Sequence, residues 1–137
     1  VPKFSTSSKI KLKECHQDLQ ELFGEVIKSF DCRVTEGYRG PIDQHAAFSS
    51  GKSKVDWPES LHNKQPSRAI DVYPFPIDLQ DIKRLYFFAG FVLGIADQLR
   101  SYGLISHAIR WGGDWNRDTE VKDNKFNDLC HFELVGD

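Results

Sequence analysis

Residues 60–74 read SLHNKQPSRAIDVYP. The end of this stretch, RAIDVYP (68–74), is a short apolar run with the character of a buried strand. The part before it is a polar, proline-bearing loop that carries His62. An unpaired carboxylate in a buried strand is costly, so either Asp71 has a partner or the strand reading is wrong. A metal ion shared with His62 would be such a partner.

The flanking segments supply the rest of a fold. From Ile10 to Phe30 the apolar residues fall at 12, 15, 19, 22, 23, 26, 27 and 30, which predicts one helix, with Ser7 or Ser8 as its cap. Cys32 and Val34 then alternate with polar residues, predicting a strand over 31–36 and a glycine-bracketed turn at Tyr38-Arg39. IDQHAAFSSG (42–51) reads as a short helix stopped by glycine, and 52–67 as a loop. Residues 79–103 form a long helix, apolar nearly all round in its middle and therefore expected to be central. Gly90 and Gly94 lie four apart and would mark a face where another element comes close. ISHAIRWGG (105–113) is a strand, 114–128 a long polar loop, and CHFELV (130–135) an alternating last strand. The expected class is α+β: one domain, with a small antiparallel sheet packed against helices.

The totals narrow the function. A chain of 137 residues suits one core. A net charge of −2, without cations and aromatics interleaved on one face, argues against a nucleic-acid partner. The most apolar window, 85–96, is far short of the ~20 residues of a membrane span, so no membrane insertion is expected. Cys15, Cys32 and Cys130 are odd in number and irregularly spaced, which fits a reducing compartment rather than a disulfide framework. The opening VPKFSTSSKIKLKE has no apolar signal-peptide core, so accumulation in the cytoplasm is expected.

His62, Asp71 and His131 make a protein set suited to catalytic zinc, whose fourth position stays open for water. Asp128, three residues before His131, could take a proton from that water. Strand alternation points Cys130 away from His131, so it reads as core packing. Arg39 could bind a substrate carboxylate or an oxyanion, although position alone favours a surface arginine in a turn. In RWGGDW (110–115), Gly112 and Gly113 either let backbone approach a ligand or form a turn packed by aromatics. His16, His45 and His107 read as surface or capping residues.

SLHNKQPSRAID, GYRG, RWGGDW and NDLCHFELV occur in an order that resembles the zinc D-Ala-D-Ala carboxypeptidase and L-alanyl-D-glutamate peptidase family, which shares its fold with the Hedgehog signalling domain. The resemblance runs from about Arg33 to Val135. It implies that His62, Asp71 and His131 ligate Zn2+, that Asp128 is the general base, and that Arg39 polarises the substrate carbonyl or holds the substrate. Ser60 would support the loop. His62 and Asp71 are nine positions apart, wider than the family's common spacing, and the loop lacks its usual glycine. Aspartate at 128, where the carboxypeptidase branch has glutamate, looks more like the phage endopeptidases. The expectation is therefore a monomeric zinc peptidase domain over 1–137 that cuts the L-Ala–D-Glu bond of peptidoglycan stem peptides. As a phage endolysin it would accumulate in the infected cell's cytoplasm and meet the wall after release. A D,D-carboxypeptidase on the same fold and a non-catalytic wall-binding module are the alternatives.

Overall fold

The computed structural model describes residues 1–136. In chain order it contains α1 (Thr6–Lys13), α2 (Gln17–Val26), β1 (Cys32–Glu36), α3 (Pro41–Ser49), a 3₁₀ turn (Leu61–Asn63), β2 (Ala69–Pro74), α4 (Ile82–Ser101), β3 (Ile109–Gly112) and β4 (Asp128–Leu134). The strands form one sheet in the order β1-β2-β4-β3, with every neighbouring pair antiparallel. The α+β class and the small antiparallel sheet are as expected from the sequence.

β2 is an interior strand, which explains its nearly unbroken apolar run. Alternation sends Ile70 and Val72 into the core and turns Asp71 to the opposite face. On β4 the same alternation buries Phe132 and Leu134 in that core, and the register sets His131 directly opposite Asp71. Helices α2 and α4 cover the apolar face. Phe132 meets Phe23 of α2 and Phe88 of α4 edge-on, with ring centroids 5.5 and 6.3 Å apart. One face of the sheet is thus the hydrophobic core, and the other is free to carry polar chemistry.

Three helix expectations need correction. The continuous helix over 10–30 is two helices, α1 and α2, broken at Glu14–His16. There the His16 N–H donates to the Ser67 carbonyl and the Ser67 N–H to the Glu14 carbonyl, both at 2.8 Å. Side-chain periodicity survives the break because Cys15 and Leu19 still point into the core. The cap of α1 is Ser5, not Ser7 or Ser8, and it accepts the Ser8 N–H. Ser8 is buried and instead accepts the Val34 N–H at 3.0 Å, tying α1 to β1.

The third correction concerns α4. Its buried residues, Leu85, Phe88, Ala89, Val92, Ala96 and Leu99, make one stripe. Phe87 on the other side is 71% exposed. The helix covers the sheet from outside rather than running through the centre. Gly90 and Gly94 are exposed, and a methyl added at either meets nothing within 4 Å. No element packs against them. Close approach occurs instead at Gly112, where a Cβ would overlap the backbone carbonyl of Asp128, and at Gly113, where it would overlap the Trp111 ring. Of the two readings of RWGGDW, the packed turn describes these glycines.

These contrasts give opposite expectations for two glycines. Gly112→Ala should cost about 1–3 kcal/mol, because backbone must shift to admit the methyl. Gly90→Ala, in an open helix position, should stabilise by about 0.4–1 kcal/mol. Urea unfolding midpoints of the two variants against the parent protein decide this. Shifts of the same sign would contradict the packing described.

Candidate metal centre

His62 is placed by local chemistry that its neighbours encode. Ser60 caps the 3₁₀ turn by accepting the His62 N–H at 3.2 Å, and the Asn63 side chain accepts the Ser60 N–H at 3.0 Å. This reciprocal cap needs an S-x-x-N spacing. Asn63 then donates to the Arg39 carbonyl at 2.9 Å, while the Arg39 N–H donates to the His62 carbonyl at 2.8 Å. The turn is thereby locked onto the segment after β1. The nine-residue spacing between His62 and Asp71 does not separate the two, since their side chains lie 3.2 Å apart.

Three ligand-type atoms converge. Asp71 Oδ1 lies 3.2 Å from His62 Nε2 and 3.3 Å from His131 Nδ1. Behind each imidazole the second nitrogen faces an acceptor. His62 Nδ1 is 2.8 Å from the Gly37 carbonyl, and His131 Nε2 is 2.7 Å from Glu133 Oε1. Those outer contacts place the ring protons on Nδ1 of His62 and Nε2 of His131. The inward nitrogens then present lone pairs toward a carboxylate oxygen, an arrangement that calls for a cation in their midst. Tetrahedral zinc, with bonds near 2.0–2.1 Å, sets its ligands about 3.3 Å apart, which is the spacing Asp71 Oδ1 keeps to each imidazole. The residues fit such an ion.

The electrostatics agree. Asp71 is buried, which opposes its charge, yet hydrogen bonds with His131 and His62 hold its carboxyl far below the usual range. Burial likewise opposes charge on His131, but Asp71 and Glu133 together raise its affinity for a proton. A proton is therefore the natural occupant when no metal is bound, and a metal would displace it. Arg110 meets Glu133 at 3.2 Å and so anchors the carboxylate behind His131.

Asp128 and His131 are three apart on one strand, and regular alternation would send them to opposite faces. A register irregularity between Trp111 and Gly112 lets four steps along β4 face one step of β3. That bulge brings Asp128 Oδ2 to 3.8 Å from His131 Nδ1. Burial, with the nearby Asp71 charge, raises the Asp128 carboxyl, against a smaller pull from His131. Cys130 is buried, as its core-packing reading expects, and it has a further contact. Its thiol donates to Asp128 Oδ1 at 3.6 Å and so backs that carboxylate.

Arg39 is no surface arginine, being 4% exposed. Its Nε donates to Glu36 at 2.6 Å and its Nη1 to Gln44 at 3.0 Å, while Nη2 lies 3.7 Å from Asp71 Oδ2. All five residues singled out from the sequence, His62, Asp71, His131, Asp128 and Arg39, meet around one place. Four of them, all but Asp71, line a cavity of about 410 Å³. Trp115 and Phe126 form its wall, stacked on each other, with Trp115 against His131 at 5.4 Å.

Sequence reasoning missed Glu133, Gln44, Asn63 and the aromatic wall. Glu133 was the most accessible of these, since it stands two residues beyond His131 on the same strand face. The partners of Gln44 lie in turns and loops 5 to 19 residues away and follow no periodic pattern.

Among the described residues a second group, His16, Asp18 and His107, also brings ligand-type atoms within 4.8 Å. Here the inward atoms are already satisfied by hydrogen bonds. His16 Nδ1 accepts the Asp18 N–H and caps α2. Asp18 Oδ2 accepts from the Ser106 and His107 backbone N–H groups and lies 2.7 Å from His107 Nδ1. This is a tie between α2 and the chain entering β3. His16 is thus a capping residue as expected. His45 is exposed beside Asp56.

The model of one protein family, the phage L-alanyl-D-glutamate peptidase, matches residues 1–135. No curated protein sequence matches the chain. Among solved structures, the L-Ala D-Glu endopeptidase ChiX of Serratia marcescens is similar, with a TM-score of 0.70 and 22% identity. The match covers 97% of this chain and 90% of that one. At that identity the likeness is one of fold.

Two measurements separate the clusters. Glu133→Gln should leave the fold intact and weaken zinc binding about 10–100-fold, the usual cost of removing a carboxylate behind a ligating histidine. Calorimetric titration reads it, and unchanged affinity would mean that Glu133 does not orient the ring. Asp18→Asn should cost about 2 kcal/mol at neutral pH. Burial opposes the Asp18 charge, but hydrogen bonds from His107 and Ser106 leave its carboxyl below the usual range. Its contribution is therefore present above the unfolded value near 4 and is lost as pH falls through the folded value. The gap between Asp18→Asn and the parent should close in acid; a gap that widens there would reverse the assignment.

Proposed function

We propose that this chain, which belongs to the phage L-alanyl-D-glutamate peptidase family, hydrolyses the L-Ala–D-Glu bond of peptidoglycan stem peptides with one zinc ion held by His62, Asp71 and His131. Peptidoglycan cleavage is the activity of the family. The observation that carries the zinc reading is the convergence of two imidazole lone pairs on a buried carboxylate, with the outer N–H of each ring already tied to an acceptor.

A bound zinc ion supplies hydroxide at neutral pH and polarises a carbonyl. The chain's own residues would do the rest. Asp128, on the cavity wall beside His131, would accept the proton of the attacking water and return it to the leaving amine. Its raised proton affinity suits both halves of that exchange, and the Cys130 thiol steadies its other oxygen. Arg39 has two of its donor positions committed to Glu36 and Gln44, so its Nη2 edge is held in a fixed direction next to Asp71. There it would orient Asp71 and meet negative charge on the substrate or on the developing oxyanion. Trp115 and Phe126 would give the peptide an apolar surface to lie on.

Among the described residues no helix is long and apolar enough to cross a membrane. The reading for location is release from the producing cell's cytoplasm before attack on the wall, by a protein acting as a monomer.

Digestion of purified sacculi, with the new termini identified by mass spectrometry, tests the reaction. C-terminal L-Ala and N-terminal D-Glu are expected. Free D-Ala would instead indicate the carboxypeptidase. Chelation should abolish lysis and about one equivalent of zinc restore it. Asp128→Asn should keep zinc and lose about 10²–10⁴-fold in turnover, whereas His131→Ala should lose zinc itself. Zinc loss in both variants would make Asp128 a ligand rather than the base.

A further inference from the structure

The residue after the scissile bond in this reaction is a glutamate, and its chemistry sets a recognition problem. Its amine is in the bond to be cut, and one of its two carboxyl groups continues the chain. The other is either a free carboxylate or an amide, and it lies only a few bonds from the reacting nitrogen. A site that favours the free form needs a cation there that the protein has not already neutralised.

Arg39 is already shared among Glu36, Gln44 and Asp71, and its remaining edge is assigned above to the reacting centre beside Asp71, so a second cation is needed for this carboxylate. The cavity has two further cationic side chains, Lys52 and Lys54, both exposed. Neither has a carboxylate within ion-pair distance among the described residues. Lys54 is the better defined of the two. Its ammonium stands 4.9 Å from the centroid of Phe126, which stacks on Trp115, which packs on His131.

Its backbone is also held. Buried Gln44 donates to the Val55 carbonyl at 2.7 Å and to Ser53 Oγ at 2.9 Å, on either side of Lys54. The same Gln44 accepts from Arg39 at 3.0 Å and from Asn63, beside His62, at 3.1 Å. One side chain therefore fixes the lysine-bearing loop relative to the candidate centre. Lys54 lines the same cavity of about 410 Å³ as His131 and Asp128, and its flexible four-carbon stem lets the ammonium reach inward toward a carboxylate held close to the reacting nitrogen.

We propose that Lys54 binds the free carboxylate of the glutamate that follows the scissile bond, and so selects the non-amidated stem peptide. This rests on the peptidase reading of the site.

The test uses two synthetic peptides, identical except that the glutamate's free carboxyl is a carboxylate in one and an amide in the other. The zinc-loaded parent protein should cleave the carboxylate peptide about tenfold better in kcat/KM, the scale of one charge-assisted contact at a partly exposed site. Added salt should narrow the preference. Lys54→Ala should remove most of it, chiefly through KM, and Lys54→Glu should invert it in favour of the amide. Lys54→Arg should retain it. Zinc content and thermal midpoint of each variant are read alongside.

Equal cleavage of both peptides by the parent protein would overturn the selectivity while leaving the peptidase reading intact. Cleavage of neither would overturn that reading and this proposal together. A preference that survives in Lys54→Glu but is lost in Lys52→Ala would assign the carboxylate to Lys52 and overturn the role of Lys54.

Discussion

Asp71 is 2% exposed in an interior strand of the sheet. A carboxylate in such a place costs several kcal/mol unless it is paired, and the surrounding structure answers that cost. β4 lies beside β2 in the register that brings His131 opposite Asp71. The 3₁₀ turn swings His62 in from the other side. Arg39 approaches the remaining oxygen. Two imidazoles and a guanidinium around one carboxylate form a cluster in which a doubly charged cation is the strongest available partner.

A second layer keeps the first in place, and it is built largely from backbone. The Gly37 carbonyl orients His62. Gly37 lies so close to α1 that a Cβ there would overlap the Lys11 carbonyl. Its carbonyl also accepts from Ser67 Oγ at 3.2 Å, which helps to hold it toward His62. On the other side Arg110 holds Glu133, and Glu133 holds His131. Gln44 joins Arg39, Asn63 and the 53–55 loop. The second His/Asp group shows the contrast. Around Asp18 the backbone donors point at the carboxylate and satisfy it, whereas around Asp71 the outer ring nitrogens already have acceptors, so each inward nitrogen faces the carboxylate across a proton or a metal ion. Similar residue types thus make a structural tie in one place and a candidate metal centre in the other, according to whether backbone donors reach the carboxylate.

Four of the five residues singled out from the sequence stood out against a local pattern, while Arg39 was carried only by the family resemblance. Asp71 interrupts an apolar run, His62 sits next to a cap, and Asp128 and His131 bracket the start of an alternating strand. The motifs in their order carried the family resemblance, which the family match over 1–135 bears out. The helix over 10–30 misled because periodicity reports which side chains face the core, and both α1 and α2 obey it. Their break is made by Ser67, a residue some fifty positions away in the chain. The spacing of Gly90 and Gly94 suggested close packing, but spacing alone does not say whether a neighbour exists.

The sequence by itself determined the class of fold and the strand that carries Asp71. These follow from burial and alternation, which are local and repeat every two or nearly four residues. Only the tertiary structure decided that Asp128 and His131 share a face, because a bulge against β3 overrides their parity. It also decided that Arg39 is buried, that Cys130 backs Asp128, and that Gln44 connects the lysine-bearing loop to the centre. Each of these depends on hydrogen bonds or register between strands and loops, and such pairings leave no periodic trace in the chain.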